Sequence, residues 1–126
     1  MPLLILFAGL CGCGADEDLR VASIQLGRSL NADRTVAGHT TKFGPNDTVY
    51  ISVLTTGRGS GTLSVRWVYA GRVVGEPQKQ VAYKDFAATD FQLQSAGGFP
   101  VGDYTVEVFL DGQSVGTRAF RVEKQR

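Results

Sequence analysis

The 126-residue sequence has few of the residues that build metal and catalytic sites. It contains two cysteines, one histidine and one methionine. Both cysteines, Cys11 and Cys13, precede residue 14, so the rest of the chain has no thiol for a disulfide framework or a zinc site. His39 has no second histidine to share a metal. We therefore expect no metal and no cofactor.

An excess of charge of one sign is also lacking. Thirteen Lys and Arg oppose twelve Asp and Glu, which gives a formal net charge of +1. Nucleic-acid binders normally carry a basic patch or stripe, so the balance predicts no nucleic-acid partner. The apolar run at residues 3–10 is far shorter than the roughly 20 residues that a bilayer-spanning helix needs.

That short run has the length of the hydrophobic region of a signal peptide. Residues 10–13, LCGC, resemble the bacterial lipobox, in which a Leu and then a small residue precede the acylated cysteine. The resemblance implies a lipoprotein-type signal peptide over residues 1–12 and lipid attachment to Cys13. Residues 13–18 would then be the lipidated cysteine and a short acidic tether. An ordinary cleaved signal peptide with an incidental cysteine is the alternative.

The same resemblance implies a location in the bacterial cell envelope. Gly14 follows Cys13, whereas Asp at that position is associated with retention in the inner membrane. The outer membrane, facing the periplasm, is therefore the expected site. At about 3.3 Å per residue the tether reaches under roughly 20 Å, which keeps the following domain close to the membrane.

Glycine, valine and threonine are plentiful, and Val and Thr favour strands. From residue 19 to residue 126, apolar and polar residues alternate with period two, and no long window has a helical apolar stripe. The predicted strands are separated by Gly-rich turns and cover residues 19–26, 48–54, 63–69, 72–74, 89–93 and 104–110, with a last strand ending in Phe120 and Val122.

The final two strands are joined by Asp111-Gly112, a strong signal for a two-residue hairpin turn. Val115 is out of phase with Phe120 and Val122, which predicts a β-bulge near Gly116.

Spacing of a few large residues makes the fold prediction more specific. In immunoglobulin domains two cysteines flank a strand tryptophan, and a tyrosine lies two residues before the second cysteine. Trp67 lies 14 residues after Val53, and Tyr104 lies two before Val106. We therefore expect an all-β immunoglobulin-like sandwich of about seven to eight antiparallel strands, with these four residues in its core and no internal disulfide.

Most of residues 19–123 resembles a family of small bacterial Ig-like lipoprotein domains. The residues that carry the resemblance are Phe43, Pro45 and Asp47 before a strand, Trp67 and Tyr69 within one, the turn GGFPVG at 97–102, and LDG at 110–112 followed by F-x-V at 120–122. The resemblance implies the fold and the location, and no particular activity.

Three short patterns resemble catalytic or binding motifs but lack the surrounding residues that those motifs need. Residues 112–116, GQSVG, match G-x-S-x-G, but Ser114 leaves a hairpin turn and no helix follows. Residues 57–61, GRGSG, lack the Lys-Ser/Thr ending of a phosphate loop, which favours a flexible hairpin loop. His39 is expected to be exposed in a loop. The sequence therefore predicts a protein that is not an enzyme.

Strand counting predicts which loops meet. If strands alternate in direction, residues 36–46, 70–72 and 95–103 gather at the end farther from the tether. This end would bring together the candidate interaction residues Phe43, Phe99, Arg72, His39 and Lys42. Aromatic anchors with Arg are enriched at binding hot spots. The alternative is that both phenylalanines close the end of the core.

The function predicted from these features is that of a non-catalytic, lipid-anchored envelope protein that acts as a structural or protein–protein interaction module. Its partners would be another envelope protein, as yet unidentified, and the membrane that holds the lipid anchor. A periplasmic inhibitor or ligand-binding module that uses one loop end is the alternative.

Overall fold

The computed structural model describes residues 18–124. The predicted signal peptide at 1–12, Cys13 and the tether up to residue 17 lie outside the described residues. Within the described range the chain forms nine strands and no helix, and so no segment there could cross a membrane as a helix. The strands are β1 Arg20–Gly27, β2 Lys42–Phe43, β3 Val49–Thr56, β4 Gly59–Tyr69, β5 Arg72–Gly75, β6 Gln78–Tyr83, β7 Ala87–Leu93, β8 Gly102–Leu110 and β9 Gln113–Val122.

These strands form two sheets, which confirms the predicted all-β sandwich. A three-stranded sheet has the order β1-β3-β7, and a six-stranded sheet has the order β2-β9-β8-β4-β5, with β6 also paired to β4. All pairs are antiparallel except β2–β9, which is parallel. Two strands, β2 and β6, were not predicted. β2 has only two residues, and Val81 is the only buried residue of β6, so neither shows a clear alternation.

The prediction of a flexible hairpin loop at residues 57–61 is wrong. β3 lies in the three-stranded sheet and β4 in the six-stranded sheet, so this segment carries the chain from one sheet to the other. Gly59 and Gly61 already belong to β4 and lie opposite Tyr83 and Val81 of β6.

The core lies between the sheets and is built from alternate residues of their central strands. Trp67 of β4 is fully buried and lies opposite Val106 of β8. Val53 of β3 is also fully buried and belongs to the facing sheet. The two valines expected at the positions of the immunoglobulin cysteines thus lie buried in facing sheets. Burial of a valine side chain stabilises a fold by roughly 1.5–3 kcal/mol without any covalent link.

Rings form a continuous cluster at one end of this core. Phe120 packs edge-on against Phe43 at 5.4 Å and against Trp67 at 5.9 Å, measured between ring centroids. It also stacks on Tyr104 at 5.1 Å, and Tyr104 contacts Phe99 edge-on at 6.0 Å. Offset-stacked and edge-to-face pairs at these separations are favourable beyond the area that they bury.

Tyr104 fixes the loop that precedes its own strand. Its hydroxyl donates a hydrogen bond of 2.7 Å to the carbonyl oxygen of Pro100, the arrangement called a tyrosine corner. Burial, with a smaller contribution from nearby Tyr69, raises the pKa of the Tyr104 phenol. Gly102 has φ of +145°, and a Cβ there would lie 3.1 Å from the Tyr69 ring, so the corner requires glycine at this place.

The last hairpin forms as predicted. Asp111 and Gly112 have φ of 53° and 82°, as the two central positions of a type I′ turn require. Gly116 lies opposite Val108 and Ser114 opposite Phe109, so the intervening residue is unpaired and forms the predicted bulge.

The outer face of the three-stranded sheet is covered rather than open to water. Gln25, Ser52 and Asp90 lie in one row across β1, β3 and β7. The hydroxyl of Ser52 donates to the carbonyl of Arg34 at 2.8 Å, and the Arg34 guanidinium donates to Asp90 at 2.9 Å. Gln25 accepts from the backbone N–H of Val36 at 3.0 Å. These hydrogen bonds hold the segment after β1 against this face, which explains why Ser52 is buried.

Candidate functional site

Phe43 and Phe99 were predicted to anchor an interaction surface, and this prediction is wrong. Their relative exposures are 2% and 7%. Each ring belongs to the aromatic cluster, so each closes the end of the core, as the alternative stated. A ring already packed against the core cannot also insert into a partner.

The other three candidate interaction residues do not form one surface. Lys42 lies on β2 and Arg72 on β5, at opposite edges of the six-stranded sheet. Four strand spacings of about 4.8 Å separate them by roughly 19 Å. His39 is exposed in the segment between β1 and β2, where it pairs with Gly27 of β1. Of the five residues, only Arg72 and the buried Phe99 line the same cleft.

The three loops do gather at one end of the sandwich. The N–H of Phe99 donates to the carbonyl of Pro45 at 2.8 Å, which joins two of them. The hydroxyl of Tyr69, beside the third, donates to the carbonyl of Val101 at 3.1 Å. We call this the loop end. The opposite end, called the N-terminal end, contains Asp18, which pairs with Arg58.

A cleft of about 230 Å³ opens at the loop end between β5 and the segment that follows β7. We call it the loop-end cleft. Tyr69 stacks on Tyr104 with 4.5 Å between ring centroids, and the two rings form an aromatic wall. The residues that define the cleft are Tyr69, Arg72, Val74, Leu93, Phe99 and Tyr104, together with Gln94, Ser95 and Pro100.

Most polar groups of the cleft are already occupied within the protein. Both tyrosine hydroxyls donate to backbone carbonyls, as described above. Ser95 donates to the carbonyl of Gly98 at 2.9 Å, and Gln94 donates to Thr48 at 3.2 Å. Arg72 is exposed, and its guanidinium makes no hydrogen bond or ion pair within residues 18–124. The cleft therefore offers apolar walls and one available cation.

One exposed apolar side chain lines this cleft, and two more lie at the same end of the sandwich. Val74 lines the cleft and is exposed to 45%, and its neighbour Val73 and the nearby Val101 are exposed to 53% and 48% outside it. Sequence reasoning missed this group because it weighted the two phenylalanines. The adjacent pair Val73-Val74, which breaks the alternation directly after a tight turn, was the available signal.

The motifs considered for catalysis lie apart from the cleft. Ser114 of the GQSVG pattern lies within β9 opposite Phe109, and the strand continues after it rather than turning into a helix. Between residues 18 and 124 no group of three or more His, Cys, Asp or Glu is placed to hold a metal ion.

Comparison with known proteins identifies the fold. No protein-family model matches the chain, and no curated protein matches its sequence. The structure is similar to that of an immunoglobulin-like protein from Pseudomonas aeruginosa, with a TM-score of 0.60 and 14% sequence identity. The match covers 87% of this chain and 100% of the other. The chain therefore has an immunoglobulin-like fold, and the similarity at this identity extends to the fold alone.

Proposed function

We propose that this protein is a non-catalytic, lipid-anchored bacterial envelope protein whose immunoglobulin-like domain binds another envelope protein through the loop-end cleft. The anchor rests on the LCGC sequence ending at Cys13. Binding rests chiefly on one observation, the exposed side chains of Val74 and Arg72 in the lining of an apolar cleft. Aromatic-walled clefts with a nearby Arg resemble the centres of protein interfaces.

Cleft size and chemistry favour a protein partner over a metabolite. Small-molecule sites usually enclose about 300–1,000 Å³ and present several free polar groups. The loop-end cleft, at about 230 Å³, has room for one apolar side chain, and its hydroxyls are already used. Arg72 at its mouth suits a carboxylate next to that side chain, because a guanidinium pairs with a carboxylate through two parallel hydrogen bonds.

The position of the cleft suits an anchored protein. Asp18 and Arg58 lie at the N-terminal end, and Tyr69 lies at the other end of the adjoining strand β4. At about 3.3 Å per residue, the ten steps from Gly59 to Tyr69 span roughly 33 Å. A chain attached to lipid at Cys13 would therefore present the cleft away from its membrane.

Affinity capture from envelope extracts tests the binding site. Residues 19–126 would be used as bait, with the cleft variants Val74→Ser and Arg72→Glu and the control Val115→Ser, which alters an exposed valine on β9. A hot-spot change of about 2 kcal/mol weakens binding roughly 30-fold, so the cleft variants should lose the partner. If Val115→Ser alone loses it, the cleft is not the binding site.

Metabolic labelling with a fatty acid tests the anchor. The wild type should carry label, Cys13→Ala should not, and Cys11→Ala is the matched control that should remain labelled. Labelled Cys13→Ala protein would refute the assignment of the anchor to this residue.

The second candidate is a periplasmic inhibitor or ligand-binding module that uses the same cleft. It is favoured by the one unpaired cation at the mouth of an otherwise apolar cavity. Capture of a secreted hydrolase whose activity falls when the domain binds would support this candidate, and loss of inhibition by Arg72→Glu would assign it to the cleft.

A further inference from the structure

Phe86 is an exposed aromatic ring at the end of the sandwich opposite the cleft. It lies between β6 and β7 and is exposed to 56%, more than any other large apolar side chain of residues 18–124 that reaches the surface. The remaining exposed members of that group are all valines. Its own N–H donates to the carboxylate of Asp85 at 2.7 Å, which fixes the turn that carries the ring.

Strand register places Phe86 next to the point where the chain enters the domain. Ala87, the following residue, lies opposite Thr55, and Thr55 lies opposite Val21. Two strand spacings separate Ala87 from Val21 by about 10 Å. Leu19 is held at the same end, since its N–H donates to the carbonyl of Arg58 at 3.0 Å.

The length of the preceding chain brings a lipid surface to this end. Cys13 lies five residues before Asp18, a reach of roughly 17 Å when fully extended. Under the proposed function, on which this inference rests, the acyl chains at Cys13 hold the membrane within that distance. The exposed ring therefore lies on the side of the domain that faces lipid.

Positive and negative side chains around the ring are equal in number, and this balance favours an apolar contact with lipid over an electrostatic one. Arg20, Arg58 and Lys84 are exposed at this end, and so are Asp18, Asp85 and Asp111. A balanced set gives little net attraction to anionic headgroups, whereas an apolar ring can enter the boundary between headgroups and acyl chains. We propose that Phe86 inserts into the membrane to which Cys13 is attached, so that the N-terminal end rests on lipid and the loop-end cleft faces outward.

Fluorescence quenching tests this contact with the anchor supplied chemically. The chain from residue 13 to residue 126 has one thiol, Cys13, which can be coupled to a maleimide lipid in phosphatidylcholine vesicles with brominated acyl chains. Phe86→Trp is the reporter, and Val73→Trp, exposed at the loop end, is the matched control. Trp67 is fully buried and gives a constant background, which the unsubstituted protein measures.

On bromine-free vesicles the Phe86→Trp emission should shift to shorter wavelength. On brominated vesicles the same emission should lose intensity. The Val73→Trp emission should not change on either kind of vesicle. High salt should leave the result unchanged, because the contact is apolar. Equal emission from both reporters on coupled vesicles would overturn the proposal. Since the coupling does not depend on acylation in the cell, this failure differs from failure of the fatty-acid labelling, which would refute the anchor itself.

Discussion

The two ends of the sandwich bury different kinds of side chain. The loop end is packed with rings, from Phe43 through Phe120 and Tyr104 to Phe99. The core nearer the N-terminal end is mainly aliphatic, with Leu63, Val81 and Val108 among its members and Tyr83 partly buried against it. Large rings in fixed orientations hold long connections in place, whereas tight turns close the other end and need no such support. Because loops on a rigid scaffold commonly carry function, the difference favours the loop end as the binding region.

The largest expected effect tests whether the ring cluster contributes more stability than the aliphatic core. Trp67→Ala should cost about 3–5 kcal/mol through lost transfer free energy and a cavity. A domain of this size has about 5–15 kcal/mol in total, so the variant should be marginal. Val108→Ala removes two methyl groups of about 0.8 kcal/mol each and should cost about 1.6 kcal/mol.

Denaturant unfolding measures both costs. Trp67→Phe sharpens the comparison, because it keeps a ring and removes an indole N–H that is buried without a hydrogen-bond partner among the described residues. It should cost much less than Trp67→Ala. A larger loss from Val108→Ala than from Trp67→Ala would contradict the importance of the ring cluster.

The next effect concerns the tyrosine corner that holds the loop before β8. Tyr104→Phe keeps the stacked ring and removes the 2.7 Å hydrogen bond to Pro100, so it should cost about 0.5–1.5 kcal/mol. Tyr50→Phe is the control, because the Tyr50 hydroxyl makes no hydrogen bond within the described range. Unfolding free energies that fall equally in the two variants would show that the corner bond does not hold the loop.

Alkaline pH should weaken the same corner. Burial raises the pKa of Tyr104 in the folded protein, so the native state keeps its proton at a pH where the unfolded state, with a pKa of about 10, releases it. The stability from this difference is complete below about pH 10 and is lost as pH rises through the folded pKa. The Tyr104→Phe protein should therefore lose less stability than the wild type between neutral and strongly alkaline pH. Parallel stability–pH curves would contradict this prediction.

The smallest expected effect on stability is at the cleft itself. Arg72 and Val74 are exposed, and surface substitutions away from special features usually change stability by less than about 0.5 kcal/mol. Arg72→Glu and Val74→Ser should therefore unfold like the wild type while losing the partner. A large drop in melting temperature would mean that any lost binding came from unfolding.

The sequence predicted those parts of the fold that rest on local patterns. Alternation identified β3, β4 and β8, and Asp111-Gly112 identified the last turn, because neighbouring residues determine both. It could not identify β2, whose two residues become a strand only by pairing with β9. The covering of the outer sheet face depends on the contact of Arg34 with Asp90, which are 56 residues apart, and no local pattern contains it.

The candidate site was less predictable for the same reason. The gathering of the three loops followed from strand direction alone. Whether Phe43 and Phe99 point inward depends on the space left between two sheets, and the distance between Lys42 and Arg72 depends on strand order. Both are properties of the assembled sandwich. The role of Val74 in the cleft became apparent only when burial distinguished this exposed valine from those of the core.

Photo-crosslinking in the living cell tests the central claim most directly. A photoactivatable amino acid would replace Val74 in the loop-end cleft or, as control, Val115 on β9. If the immunoglobulin-like domain binds a partner through the cleft, the probe at position 74 should give a discrete crosslinked protein, and Arg72→Glu in the same chain should abolish it. A crosslink from position 115 with none from position 74 would contradict the account.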